Sequence, residues 1–446
     1  MRRNRITLWL LVALVLVMLG VGGLYGLTLR SALPLMAAAA PPPDSQTLLH
    51  GAQLAAIGNC NTCHTADNGA AYAGGRPIET PFGTIYATNI TPDRDTGIGG
   101  WSEEAFIRAM REGVSRDGHH LYPAFPYDHM ARMRDDDIKA VYAFIMTRRP
   151  VRATTPPNAL TFPLNFRPLV AGWKLLFLDR GVIQPNASQS PEWNRGAYLV
   201  EGLGHCGACH TPRNALGAEK RGQAYAGGES EGWIAPALDA ASPAAVPWNE
   251  ERLYAYLRTG YDPLHGAVAG PMAPVVANFA AVPQEDVRAI ATYVAFVAGN
   301  AGPERQARAR EAVARAKGEA SAPEKAASLP GAPIYAGACA QCHGEAGRAP
   351  LMPAVNLALS SSLRNPRPDN VIRIVRGGIH PVGGGAGPVM PGFAGALTDA
   401  QLVALLGYLR AAFTESPPWG ELENAVARAI RNEDQERTAQ RARLLP

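Results

Sequence analysis

The sequence predicts a mainly α fold, with three small helical domains in tandem behind an N-terminal transmembrane helix. Three observations predict it. One five-residue cysteine pattern occurs three times in the 446 residues and uses all six cysteines. A helix-opening signature and an apolar closing stripe accompany each copy, as expected if one supersecondary unit is repeated. No stretch alternates convincingly enough between apolar and polar residues to suggest a sheet.

The leader comes first. The first forty residues contain no acid and open with Arg2, Arg3 and Arg5. From Ile6 to Leu29 run 24 uncharged residues, mostly Leu, Val, Gly and Ala, and Arg30 ends them. The apolar region of a signal peptide is about 7–15 residues long, whereas a spanning helix needs about 20. Length therefore favours residues 1–40 as a retained inner-membrane anchor, with the arginines holding the N-terminus in the cytoplasm. Ala37-Ala38-Ala39-Ala40 offers the small residues of a cleavage site, so a removed signal is the alternative. In both cases the remainder is exported to the periplasmic side. The leader's arginines account for the net charge of +4, which leaves 38 basic and 38 acidic residues beyond it. A neutral body argues against nucleic acid as a partner.

The exported part divides into domains of ordinary size at 45–150, 191–300 and 331–413. In the first, Trp101-Ser102-Glu103-Glu104 opens a helix carrying Phe106, Arg111 and Gly113. In the second, Trp248-Asn249-Glu250-Glu251 opens one carrying Leu253, Arg258 and Gly260. Asp369, Val371, Arg376 and Gly378 echo them in the third. Ser102 and Asn249 are N-cap residues, and glutamates in the first turn suit the helix dipole. Closing helices follow at Ile138, Val141, Phe144 and Ile145, at Val287, Ile290, Tyr293 and Val294, and at Leu402, Leu405, Tyr408 and Leu409. That spacing makes one buried face. Between the domains lie a proline- and aromatic-rich linker, 151–190, expected to wrap over its neighbours, and an exposed helical tether, 301–330. The tail, 414–446, carries Leu422, Val426 and Ile430 at helical spacing and is expected to pack on its own domain.

The cysteine pattern carries the chemistry. Its copies are Cys60-Asn61-Thr62-Cys63-His64, Cys206-Gly207-Ala208-Cys209-His210 and Cys339-Ala340-Gln341-Cys342-His343. C-x-x-C-H is the attachment signature of c-type haem, with two thioether-forming thiols and an adjacent histidine for the iron. A structural zinc site would need two such pairs close in sequence, but these copies are 146 and 133 residues apart. A dithiol oxidoreductase has no need of the histidine, and disulfides closing such small loops add little stability. The prediction is three covalent haems c.

Methionine is the expected sixth ligand in electron-carrying cytochromes c. Met272 in Gly270-Pro271-Met272, 62 residues after His210, meets the requirement of a proline-held loop before the closing helix. Met390 in Val389-Met390-Pro391, 47 residues after His343, does the same. In the first domain Phe125 occupies the slot, 61 residues after His64. Met130 is preferred there, His129 is the alternative, Met133, His119 and His120 are outsiders, and an open iron is the third case. His205, His265 and His380 read as surface or hydrogen-bonded groups.

Whole phrases add a resemblance. Gly74-Gly75-Arg76-Pro77, Thr80-Pro81-Phe82-Gly83-Thr84-Ile85-Tyr86, Thr88-Asn89-Ile90-Thr91-Pro92-Asp93, Gly97-Ile98-Gly99-Gly100-Trp101 and Asp117-Gly118-His119 fall in the first domain. Trp193-Asn194-Arg195-Gly196-Ala197-Tyr198-Leu199, Gly202-Leu203-Gly204-His205-Cys206 and His210-Thr211-Pro212-Arg213-Asn214 fall in the second. Over residues 45–413 the chain resembles the triple-haem cytochrome c subunits of membrane-bound bacterial dehydrogenases. The resemblance implies three tandem class I cytochrome c-like domains, with Met272 and Met390 as distal ligands. It also implies a periplasmic dehydrogenase partner of quinone, flavin or molybdenum type. Many members carry methionine where Phe125 stands, which leaves the first sixth ligand open. The anchor and Pro417-Pro418-Trp419 lean toward the molybdenum-hydroxylase partners.

The function expected is electron transfer from that dehydrogenase to ubiquinone, a soluble cytochrome or a terminal oxidase, with no catalytic site of the chain's own. Two rivals follow from the same residues. A peroxidase-like enzyme would use an open first haem and bind carbon monoxide or cyanide. A stand-alone membrane-tethered carrier would purify without a large partner protein.

Overall fold

The apolar leader folds as a single helix, α1 (Arg2–Thr28). The computed structural model describes residues 2–36, 43–319, 326–345, 356–381 and 388–444, so Ala37–Ala40, the cleavage candidate, lies outside the described residues. Within α1 the longest stretch of described side chains is 9–20, all exposed. Among the described residues no helix is long and apolar enough to cross a membrane, so the expected spanning helix is not shown.

Two compact units form. The first takes in residues 1–188, 198–205 and 215–218, and the second takes in 189–197, 206–214 and 219–446. In the first, the segment after α1 is strapped down. Leu33 N donates to Arg116 O at 2.8 Å, Met36 N to Gly100 O at 2.9 Å, and Arg108 to Ser31 O at 2.8 Å. Then come α2 (Ser45–Ile57), capped by Asp44, and the single turn α3 (Cys60–Cys63). A hairpin of β1 (Pro77–Thr80) and β2 (Gly83–Tyr86) follows. Next are α4 (Glu103–Glu112), α5 (Tyr127–Met130) and α6 (Asp135–Ile145). Ser102 caps α4 by accepting from Ala105 N, and Gly113, at φ 58°, ends it. The linker is built into this unit: β3 (Ala159–Leu160) pairs antiparallel with β2, and α7 (Leu169–Phe177) lies beside α1.

The pattern repeats along the chain. The next elements are α8 (Pro191–Glu201), the turn α9 (Gly207–His210), and a hairpin of β4 (Gly228–Ser230) and β5 (Trp233–Ala235). Then come α10 (Glu250–Thr259), β6 (Tyr261–Asp262) paired with β7 (Gly266–Ala267), α11 (Met272–Phe279) and α12 (Gln284–Ala298). Asn249 caps α10 and Gly260, at φ 74°, ends it. After α13 (Pro303–Ala316) the third copy has α14 (Ala332–Ala338), α15 (Ala340–His343) and α16 (Ser361–Arg364). It ends with α17 (Asp369–Gly377), α18 (Asp399–Phe413) and α19 (Leu422–Leu444).

Two expectations are corrected. Small antiparallel sheets are present where none was predicted, because strands of two to four residues are too short to show alternation. Their turns specify them instead: Gly83 sits at φ 116°, and a Cβ there would lie 2.2 Å from Ala159 O. The tether is not exposed throughout, since Ala309, Ala312 and Ala316 of α13 are buried in the core of the third copy. Alanine at this spacing lets one face of α13 approach closely, while Glu304, Arg308, Arg310 and Glu311 stay outside. The tail behaves as expected: Leu422 and Val426 join that core, with Ile430 against it. Arg410, buried, donates to Leu363 O and Asn365 O at 2.6 and 2.7 Å and stacks on Trp419.

A glycine fixes the helix crossing in each copy. A Cβ on Gly51 of α2 would lie 2.0 Å from Ala140 O of α6. One on Gly196 of α8 would lie 1.9 Å from Ala289 O of α12, and one on Gly331, before α14, 2.1 Å from Ala404 O of α18. Phe144, Tyr293 and Tyr408, one turn beyond those alanines, cover each crossing. In two copies the residue before the glycine meets a closing-helix acid: His50 to Asp137 at 2.7 Å and Arg195 to Asp286 at 2.7 Å.

Lys174 of α7 is buried, donating to Gly113 O at 2.6 Å and bonded to His120 Nδ1 at 2.9 Å. Burial, with Arg180 nearby, pushes its ammonium down to about 7. The unfolded chain keeps that proton to the ordinary lysine range near 10.5, so between about pH 7 and 10.5 the unfolded state binds more protons and stability rises with pH. Lys174→Met is expected to remove this rise, on the order of a few kcal/mol, from urea midpoints measured across that range. An unchanged pH slope would count against it.

Candidate functional site

Each cysteine pattern forms one helical turn closed by the same bond. The amide of His64 donates to Cys60 O, that of His210 to Cys206 O and that of His343 to Cys339 O, each at 3.0 Å. Residues three and four apart on a turn are neighbours, so two thiols and an imidazole emerge together. None of the six cysteines is in a disulfide. Burial, reinforced by neighbouring Cys63, pushes the Cys60 thiol up to about 12, and burial also raises Cys209 and Cys339. A dithiol oxidoreductase needs the opposite shift.

The histidines are oriented by carbonyls. His64 Nδ1 lies 2.6 Å from Thr88 O, and His210 Nδ1 lies 2.7 Å from Pro236 O. A carbonyl only accepts, so Nδ1 carries the proton and Nε2 the lone pair, the state of a metal-ligating imidazole. Burial lowers both pKa values and keeps the rings neutral. The hairpins deliver those carbonyls: β1–β2 runs into Thr88, and β4–β5 ends one residue before Pro236. Gly74 (φ 75°) and Gly227 (φ 89°) then donate to His64 O and His210 O, both at 2.8 Å. These carbonyls and glycines were not assigned roles from sequence. The signal was the repeated Ala73-Gly74-Gly75 and Ala226-Gly227-Gly228. In the third copy the Tyr335 hydroxyl donates to Gly344 O and holds the turn after His343, while residues 346–355 are outside the described region.

The two candidate methionines sit in loops fixed by glycines. Met272 is the first residue of α11. Its loop packs on β5, where a Cβ on Gly270 (φ 61°) would lie 2.4 Å from the Trp233 ring. The strand that leads to the His210 acceptor therefore packs against the Met272 loop. Met390 is held by paired amide bonds with Ile379, both 2.9 Å. Gly378 (φ 79°) permits this, because a Cβ there would lie 2.3 Å from Met390 O. Middle-helix arginines brace the segments that follow. Arg111 donates to Ala131 O and Met133 O, Arg258 to Phe279 O and Val282 O, and Arg376 pairs with Glu433 of α19.

In the first copy Phe125 packs edge-on against Tyr127. Met130 and Met133 are buried, and His129 Nδ1 lies 3.0 Å from Glu201 O. His120 is bound to Lys174 and His119 to Asp117 at 2.6 Å. The Tyr127 hydroxyl is buried without a hydrogen-bond partner among the described residues. His265, buried and stacked on Trp248, meets Asp262 at 2.7 Å and Val246 O at 3.0 Å through its two nitrogens. That agrees with its reading as a hydrogen-bonded group.

Comparison with known proteins places the chain among cytochromes c. Residues 49–149 match the model of the family described as cytochrome c. Residues 326–409 match that described as cytochrome c oxidase, cbb3-type, subunit III. A nicotinate dehydrogenase subunit of Pseudomonas putida is 46% identical over 91% of this chain, which spans 34% of that protein's length. The gluconate 2-dehydrogenase cytochrome c subunit of Pantoea cypripedii is 36% identical over 85% of this chain and 87% of its own. The cytochrome c subunit of alcohol dehydrogenase (quinone) from Gluconobacter oxydans is 34% identical, over 88% and 85%.

Proposed function

The chain belongs to the multi-haem cytochrome c subunits of bacterial membrane dehydrogenases, and from that premise we propose that it carries three haems c and relays electrons from a periplasmic dehydrogenase to ubiquinone or another respiratory acceptor. The observation that carries this reading is the repeated one-turn donor set of two thiols and an imidazole, with Nδ1 of His64 and of His210 tied to a carbonyl. When bound, haem c supplies one-electron chemistry at its iron. Cys60, Cys63 and His64 would hold the first, Cys206, Cys209 and His210 the second, and Cys339, Cys342 and His343 the third. Thr88 O and Pro236 O fix ring orientation and tautomer in two of them. Met272 and Met390 would add a sulfur ligand to the second and third haems in this reading, and Met130 to the first.

The partner proposed is the molybdenum-hydroxylase type acting on an N-heterocycle. Support comes from the 46% identity with a protein of nicotinate dehydrogenase, itself named for such a substrate. The anchor is α1, whose described apolar side chains are exposed and which is tied to the first unit by the strap at residues 29–36. Purification from detergent extracts of membranes tests the relay. A large dehydrogenase protein should co-purify, and its substrate should drive reduction of a water-soluble ubiquinone analogue. Recovery of the chain alone, with no substrate-driven haem reduction on adding the dehydrogenase, would overturn it.

A further inference from the structure

We propose that α7 and the loop before it form a second membrane-contacting surface, which lays the first unit on the bilayer beside α1. This rests on the reading of α1 as an anchor. A surface helix of a soluble domain turns polar residues outward, but α7 is inverted. Its single charge, Lys174, faces inward with Val170 and Ala171, while Leu169, Leu175 and Leu176 face out, the last two at 66% exposure. The adjoining loop adds Phe162, 86% exposed, and Phe166. An exposed contiguous apolar patch of this kind marks a contact with a protein partner or a membrane.

Two observations select lipid as the occupant. First, α7 lies directly beside α1, so the patch continues the apolar surface of the leader. Second, α1 does not leave on a free linker. The strap fixes its exit, and a Cβ on Gly118 (φ 93°) would lie 2.0 Å from Arg30 O, so the backbone fits closely there. Both apolar stretches then end in exposed arginines, Arg30 and Arg180, near enough to act together on Lys174. Arginines at the end of an apolar segment suit the headgroup layer.

The test uses the full-length holoprotein in phosphatidylcholine–phosphatidylglycerol vesicles. All native thiols are thioether-bound there, so Leu176→Cys, Leu16→Cys and Asp67→Cys each take one spin label. Power saturation then compares collisions with membrane-soluble oxygen and with an aqueous nickel chelate. Position 176 is expected to favour oxygen severalfold over position 67, with position 16 still deeper. Nickel access at 176 equal to that at 67, with position 16 in lipid, would overturn the surface and leave the anchor standing. Nickel access at both 16 and 176 would overturn both. Protection of 176 only after a dehydrogenase is added would assign the patch to a protein partner and overturn the proposal.

Discussion

Cys206→Ala combined with Cys209→Ala is expected to lower covalent haem from three per chain to two, and to cut substrate-driven reduction of the acceptor at least about tenfold, or about 1.4 kcal/mol on the barrier. The second copy is the informative one to break, because its site is described on both sides. The turn α9 closes on Cys206 O and is clasped by Arg213, which donates to Ala208 O at 2.8 Å. The β4–β5 hairpin brings Pro236 O to the imidazole, and Trp233 of the same hairpin supports the Met272 loop. Losing the two thioether anchors leaves those elements in place and removes what they are built to grip. Pyridine haemochrome absorbance and intact mass read the haem count. Three haems retained by the double variant would sink the assignment of these cysteines.

The sequence carried most of this site because covalent haem attachment is written in a short contiguous pattern. The same holds for the middle helices, whose caps are local: Ser102 and Asn249 bond their own first turns, and Gly113 and Gly260 end them with positive φ. What sequence alone missed is non-local. Thr88 and Pro236 act through backbone carbonyls, which carry no side-chain signature, 24 and 26 residues beyond the imidazoles they orient. Gly51, Gly196 and Gly331 matter because of carbonyls 73 to 93 residues away. The hairpins were invisible for a different reason: their strands of two to four residues hold at most two cycles of alternation, and glycine turns specify them. The burial of α13 escaped because alanine reads equally well as an exposed helix former or a close-packing residue.

Gly331→Ala and Gly337→Ala are expected to move stability in opposite directions, although they lie six residues apart. At Gly331 the new methyl would meet Ala404 O at 2.1 Å, Ala404 C at 2.6 Å and Tyr408 Cβ at 2.7 Å. Two of those atoms are backbone of α18, in the middle of a helix whose Leu402, Leu405 and Leu406 are buried, so α18 cannot yield without opening the core. Overpacking of this kind costs about 3 kcal/mol. At Gly337, inside α14, nothing lies within 4 Å of the added carbon. There the substitution only removes glycine's backbone freedom from a helix, a gain of roughly 0.5–1 kcal/mol. Urea unfolding followed by the haem band reads both, with the native chain as reference. If Gly331→Ala were as stable as the native chain, α14 and α18 would not cross at that glycine. The equivalent crossings at Gly51 and Gly196, and with them the picture of one unit built three times, would lose their basis.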